Sequence, residues 1–409
     1  MNLTKNSDIE LLLKYYENNQ FKNALPLADN IVKSKINNYK IYDICGEIFY
    51  KFKLYNKASY VFVKSININP KSFFAYNNLG VSEYFLGNFK KSLKIFENAK
   101  KIDDKNSTLY FNIARSYGDL GIYEKSIDNY CTSLLLDKNN KNSIKNLIKA
   151  LTFFKPKKKY KNKIIEINEQ LNSIKIPFSF NKLISDKDVN SFFKESFNLT
   201  KNILSIDFDY SQIFRQNNKL LDCPKYHTAF NSFNIIPKFC FSCFKVQVDV
   251  YEIFDLIKLH FLFDNLDLFN NIKKCMIEKR KETKGNYKGF IYCSSPDEAE
   301  IIKNKVSELI NQNLSIKFNA YIKRGCSEFG IKFPNYKITN PQDKNFFQYK
   351  EGWKKKENIT NNFYPKNNSK ELVIKETIPG NSLNDILIIL NWINYAKENN
   401  DLSYKKLYQ

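Results

Sequence analysis

A step of 34 residues constrains this chain more than any other feature. Tyr42, Tyr76 and Tyr110 are 34 apart, and Gly46, Gly80 and Ala114 keep the same step. So do Ala58, Ser92 and Ser126, then Phe62, Phe96 and Tyr130, and finally Pro70, Asp104 and Lys138 at the ends of the segments. A fixed period of this length marks a stack of helix–turn–helix units, each burying one face against the next. In each unit an aromatic opens the first helix, a small residue lets the second approach, and another aromatic fills the gap.

The pattern resembles the tetratricopeptide repeat family over residues 39–138. Segment 73–106 carries Tyr76, Leu79, Gly80, Gly87, Ser92, Phe96 and Ala99; segment 39–72 carries Tyr42, Gly46, Ala58, Phe62 and Pro70; segment 107–140 carries Tyr110, Ala114, Tyr117, Gly121 and Tyr130. A fourth unit extrapolates backwards over 5–38, with Ala24 and Ala28 in place, and a capping helix is expected at 142–154. The resemblance implies a superhelical solenoid whose groove binds a protein or peptide; such repeats rarely catalyse anything themselves. The groove residues it implies are Asp43, Glu47, Tyr50, Asn77, Asn78, Tyr84, Arg115 and Asp119. One branch of the family holds a C-terminal carboxylate with basic and amide groups. Here Asp43 and Glu47 occupy such positions, which argues against an acidic tail as ligand. The alternative for these polar residues is a solvated helix face.

At 409 residues the chain is long enough for two or three domains, and a hydrophobic content of 43% supports a true core. The formal net charge is +23. Such a balance suits nucleic acid. The excess is lysine, however, whereas base and phosphate recognition favours arginine, and richness in Lys, Asn and Ile is also what an AT-rich genome writes. The run Lys155–Lys163 with Pro156 reads as a hydrated linker. Residues 1–15 lack the basic start and apolar run of a secretory signal. Leu256–Phe263 is broken by Lys258 and His260, so no segment reaches the roughly 18 apolar residues of a membrane span. The expectation is a cytoplasmic protein with no membrane partner.

The second half changes period. Residues 164–173 and 184–203 repeat apolar side chains at helical steps. Phe244, Val246, Val248 and Val250 alternate with polar residues and predict a strand; a helix follows over Tyr251–Phe263. Strands are expected at Cys275–Arg280 and Tyr287–Cys293, a helix at Pro296–Ile310 and a strand at Ile316–Ile322. The order β-α-β-β-α-β is the ferredoxin-like arrangement. The tail is read as loop, a strand at Glu371–Lys375 and a helix over Leu383–Lys397. The fold class is therefore an all-α repeat solenoid followed by an α+β domain. Its divisions are 1–154 for the repeats, 155–235 for the linker and bridging helices, 236–329 for the α+β domain and 330–409 for the tail.

Six of the 8 cysteines lie in the second half: Cys223, Cys240, Cys243, Cys275, Cys293 and Cys326. Cys45 and Cys131 fall within repeat helices and read as small hydrophobes. In the expected sheet, the starts of the first two strands share an edge with the ends of the last two. That edge gathers Cys240, Cys243, Cys275, Cys293 and Cys326, with Cys223 and His227 upstream and within reach. Soft thiolates suit zinc or an iron–sulfur cluster, and Cys223-x3-His227 with Cys240-x2-Cys243 resembles a zinc ligand set. Ordinary buried thiols are the alternative. His260 sits in mid-helix and reads as a core histidine.

Lys288-Gly289-Phe290-Ile291-Tyr292 resembles the third strand of the RNA-recognition motif family, which implies bases stacked on Phe290 and Tyr292, with Tyr321, Lys288 and Arg280 beside them. Ile291 and the strand Lys245, Gln247, Asp249 depart from that motif. The alternative is that both aromatics are buried beneath the tail helix. A metal-dependent enzyme is a third reading. No glycine-rich phosphate loop is present, and two histidines leave few catalytic arrangements. Cys223 with His227 is a nucleophile pair only on a helix that Pro224 must permit.

Overall fold

The 34-residue step survives into the backbone. The structure is a computed structural model that describes residues 2–34, 36–175, 183–201, 208–217, 219–266, 271–280 and 285–408. Helices α1 (Asn2–Glu17), α3 (Tyr39–Lys51), α5 (Phe73–Phe85) and α7 (Ser107–Asp119) are the first helices of four units; α2 (Phe21–Lys33), α4 (Tyr55–Ile68), α6 (Phe89–Ile102) and α8 (Tyr123–Leu136) are the second. The capping helix α9 runs over Lys141–Ala150. Within each unit the turn contains one left-handed residue: Asn19 (φ 56°), Lys53 (φ 59°), Gly87 (φ 83°) and Gly121 (φ 74°). These four positions are again 34 apart. The first helices of the last three units start on side-chain caps: Asn38 accepts from Lys40 and Ile41, Ser72 from Ala75 and Asn106 from Leu109.

The small-residue positions work as expected. A Cβ on Gly80 would lie 2.4 Å from the Phe96 ring, and one on Gly46 would lie 2.6 Å from Phe62. The serines of the second helices add a bond that apolar patterning does not reveal. Ser92 Oγ donates to the Gly80 carbonyl and Ser126 Oγ to the Ala114 carbonyl, each at 2.7 Å. Each buried hydroxyl is thus satisfied by the helix it packs against.

The chain divides into two units: residues 1–144 with 359–373, and residues 145–358 with 374–409. Part of the tail therefore belongs to the repeats. The second unit contains α10 (Lys163–Ser173), α11 (Asp186–Thr200) and a five-stranded antiparallel sheet. Residues 202 and 203, expected as the end of the second bridging helix, lie outside the described residues. The strands are β1 (Gln212–Arg215), β2 (Phe244–Val250), β3 (Lys273–Ile277), β4 (Tyr287–Cys293) and β5 (Phe318–Arg324), in the order β1-β3-β4-β2-β5. Strands β2 to β5 alternate with α13 (Ile253–Asn265) and α14 (Pro296–Asn313) in the expected succession, after α12 (Cys223–Phe233).

Three features depart from the sequence reading. β1 and α12 were not foreseen; a four-residue strand and a helix opening on Cys-Pro give little periodic signal. β5 ends two residues beyond the expected Ile322. Glu371–Lys375 forms no strand. The last long helix spans Leu383–Glu398 behind a capping box of Ser382 and Asp385.

Register divides the sheet into two faces. Val246, Val248, Cys275, Gly289, Ile291 and Cys293 share the face covered by α13 and α14. Lys245, Gln247, Lys274, Phe290, Tyr292, Tyr321 and Lys323 share the other.

Candidate functional site

Four of the expected thiols converge on one pocket. Cys223 is the first residue of α12, and His227 lies one turn later on the same helix. Asp222 caps that helix by accepting from the Lys225 amide, and Pro224 stands in the first turn, where its missing N–H costs nothing. Cys240 sits in a 3-10 turn, Lys238–Ser242, whose end is closed by the Cys243 amide donating to the Cys240 carbonyl at 3.2 Å. Tyr336 Oη also donates to that carbonyl, at 2.6 Å. Cys326 precedes the short helix α15 (Ser327–Lys332), and the neighbouring Gly325 amide donates to the Cys243 carbonyl at 2.7 Å. Cys223, His227, Cys240, Cys243, Cys326 and Lys245 line the same pocket.

The electrostatics single out one sulfur. Burial pushes the Cys223 thiol up to about 11 and also raises Cys240 and Cys243. Burial would raise Cys326 as well, but the Lys245 charge and a hydrogen bond from His227 bring it down to about 6. Lys245 is 6% exposed. Burial alone would lower it, yet the Cys326 thiolate and its neighbours hold it protonated. Lys274 and Lys323 are each depressed to about 8 by burial and by the Lys245 charge. The pocket is thus a set of thiols beside a concentration of positive charge. All eight cysteines are free.

Among the described residues, His227, Cys326 and Glu328 offer three ligand atoms within 4.8 Å of one another. Glu328 was not foreseen, although it stands two residues after Cys326; a carboxylate next to a thiol is too common in sequence to single out. Lys245 was read only as an alternating strand residue.

Cys275 and Cys293 do not join the pocket. The register places both on the helix-covered face, opposite Lys245. Cys275 is buried near Arg215 and Asp264, and Cys293 Sγ donates to the Ile291 carbonyl at 3.7 Å. A position near a strand end fixes the edge, but parity along the strand fixes the face. Phe290 and Tyr292 lie on the sheet face away from α13 and α14, as the RNA-recognition resemblance implies, but the Phe290 ring is covered. Phe290 is 7% exposed, and the ammonium groups of Lys274 and Lys323 lie 4.9 and 5.9 Å from its ring centre, so no open stacking platform is present there. His260 is a core residue, 3.9 Å from Asp264.

In the repeats, the expected groove residues mostly engage one another or their own helices. Tyr84 Oη donates to Asp119 Oδ2 at 2.6 Å. Arg115 lies over the Tyr84 ring at 4.3 Å and also faces Phe85 and Phe111. Asn77 Oδ1 accepts from Asn112, Glu47 accepts from Tyr16, and Tyr50 meets Tyr55 and Phe85 edge-on. Asp43 is buried beside Glu47. Asn78 departs from the set: its amide turns back to the Phe74 carbonyl of its own helix.

Residues 75–106 and 107–140 match the family model described as tetratricopeptide repeat. Among solved structures, the chain is similar to a MamA protein at 15% identity, covering 51% of this chain and 97% of that one with a TM-score of 0.35. It is also similar to MamA, from residue 41 to its end, of Desulfovibrio magneticus RS-1, at 16% identity, 36% and 82% coverage and a TM-score of 0.33. A third is YrrB, described as a TPR protein with an unusual peptide-binding site, at 14% identity, 32% and 68% coverage and a TM-score of 0.31. No curated protein matches the chain. Among the described residues, no helix is long and apolar enough to cross a membrane.

Proposed function

We propose that this chain, whose residues 75–140 are tetratricopeptide repeats, is an adaptor that joins a protein-binding repeat unit to an α+β module holding a metal on cysteine sulfur. The repeat part follows from the family: stacked helix pairs present a continuous side-chain surface and are scaffolds for peptide or protein ligands. Tyr84, Arg115 and Asp119 are the residues on that surface best built for a polar ligand, since they form one connected group.

One observation carries the metal part. Four thiols from three stretches of chain, with His227, line a single pocket beside a buried lysine. Buried lysine stabilises thiolate, the form that binds metal. His227, Cys326 and Glu328 are ligand types that zinc accepts; four thiolates are the set an iron–sulfur cluster takes. Either would supply a structural or electron-transfer centre. Cysteines outside disulfides support a cytoplasmic location, where thiols stay reduced.

The test is elemental analysis, with a visible absorption spectrum, of chain purified without oxygen or chelators. Zinc near one per chain supports a mononuclear centre; iron with inorganic sulfide supports a cluster. A folded, metal-free chain that takes up neither metal on reconstitution removes the metal part of the proposal and leaves the repeats. For the repeats, Glu47→Lys and Arg115→Glu should each reduce capture of the same cellular protein by the full chain, whereas Cys240→Ser should not.

A further inference from the structure

The ends of the first helices and the turns of the repeats already carry a ligand, and it comes from the same chain. Residues 364–373 belong to the repeat unit and run as irregular chain, with a 3-10 turn at Pro365–Asn368 and a second turn closed by the Leu372 amide donating to the Ser369 carbonyl. They cross the turns of the third and fourth helix pairs. Lys366 Nζ lies 2.6 Å from Asp119 Oδ2, donates to Tyr84 Oη, and stands 4.5 Å from the centre of the Tyr84 ring. Ser369 Oγ donates to the Gly87 carbonyl at 2.5 Å. The Glu371 carboxylate accepts from the Lys90 amide at 2.9 Å, where α6 begins. The Val373 amide donates to the Asp119 carbonyl at 2.8 Å.

The turn glycines fit this contact. All four turns need a left-handed residue, and at two of them Asn19 and Lys53 meet the requirement with side chains. Backbone conformation alone therefore does not demand glycine. At the two turns under the segment space also counts: a Cβ on Gly87 would lie 2.6 Å from Ser369 Cβ, a clash, and one on Gly121 would crowd Val373 at 3.1 Å. The side chain of Lys53, at the preceding turn, stands 5.6 Å from the ring centre of Tyr364, where the segment begins.

The contact is a recognition geometry. A carboxylate, a phenol hydroxyl and an aromatic face together satisfy an ammonium group by charge, hydrogen bond and cation–π attraction. Burial works against the cation, lowering Lys366, and Asp119 opposes that shift. The Gly87 carbonyl and the Lys90 amide take side chains of the segment, the Ser369 hydroxyl and the Glu371 carboxylate, and the Asp119 carbonyl takes a main-chain group, the Val373 amide.

We propose that Asp119, Tyr84 and the turns at Gly87 and Gly121 form a seat for a lysine-bearing peptide segment, that residues 364–373 are its resident occupant, and that a partner binds by replacing them. This rests on the reading of the repeats as a protein-binding unit and names the ligand chemistry. A partner competes with a tethered occupant, so its apparent affinity falls by the fraction of time the seat is free.

The test uses the full chain and a fluorescent peptide of residues 362–375, followed by anisotropy. Lys366→Glu sets like charge against Asp119, and Ser369→Trp cannot fit against Gly87; either should free the seat. Each freed chain should bind the peptide at least ~10-fold more tightly than the unaltered chain, as expected when the occupied fraction exceeds nine-tenths. The gain should vanish when the peptide carries Lys366→Gln or when the freed chain also carries Asp119→Asn. No binding by either freed chain, or equal binding of the lysine-free peptide, overturns the proposal. If neither variant folds, hydrogen exchange on the unaltered chain decides: saturating peptide must speed exchange at the Val373 amide, and unchanged exchange overturns the seat. A seat that fails while Arg115→Glu still abolishes capture of a cellular protein leaves the protein-binding reading intact.

Discussion

Lys245 Nζ donates to Cys326 Sγ at 3.7 Å and stands 4.9 Å from the centre of the Tyr292 ring. A lysine this buried is costly unless a negative group faces it. The thiolate is that group, and the same charge favours a cation on the far side of the sulfurs. The two sheet faces then make a sharp distinction among cysteines that composition treats alike.

The first prediction concerns that distinction. Cys223→Ser, Cys240→Ser and Cys326→Ser should each lower bound metal severalfold, measured by plasma mass spectrometry on anaerobically purified chain. Cys275→Ser and Cys293→Ser should leave it near the level of the unaltered chain, since both side chains are on the helix-covered face. Equal loss from all five would mean that metal reports general folding and that the pocket is not its seat.

The helix pairs make a second prediction. The ring of Phe96 fills the place a Cβ would take on Gly80, at 2.4 Å, and Phe96 is fully buried. Gly80→Ala removes a flexible residue from a helix interior, which by itself favours the fold by about 1 kcal/mol. Overpacking of a tight core costs about 1–3 kcal/mol and acts in the opposite direction. The clash involves a rigid ring held on all sides, so overpacking should win, and urea unfolding should show lower stability. An unchanged or higher midpoint would show that the helices can part without loss.

Periodic features were legible in the sequence and aperiodic ones were not. The 34-residue step fixed the partners of Gly46 and Gly80 because a repeat states its own contacts. Alternation in Phe244–Val250 fixed one strand and, through topology, the edge where Cys240, Cys243 and Cys326 meet. It did not fix the face of Cys275, because its strand begins at Lys273, which a count from Cys275 cannot reveal. The segment 364–373 has no period, and its role depends on neighbours about 250 to 280 residues away in sequence.

Nothing in the sequence links Arg215, Asp264 and Asp385, yet they form a buried ion group in the second unit. Arg215 bonds Asp264 at 2.6 Å and Asp385 at 3.0 Å, tying β1, α13 and the last long helix together. The three side chains are 9% exposed or less. Arg215→Met should cost about 3–5 kcal/mol, because it leaves two buried carboxylates uncompensated. Replacing all three by apolar residues should cost much less than that single change. A single substitution that proves near neutral in chemical unfolding would show the group to be hydrated.

The last prediction is a pH dependence in the repeats. Asp43 is 9% exposed; burial pushes its carboxyl up to about 6, and the nearby Glu47 charge adds to the shift. In the unfolded chain an aspartate titrates near 4. Between those values the folded state binds the extra proton, so stability rises as pH falls through about 6 and levels off below about 4. Above pH 6 the ionised Asp43 opposes folding. Asp43→Asn keeps the shape and removes the charge, so it should raise stability at pH 7.5 and flatten the rise seen on acidification. Thermal unfolding of both chains from pH 4.5 to 7.5 measures this. A variant whose stability profile runs parallel to that of the unaltered chain would assign the rise to another group.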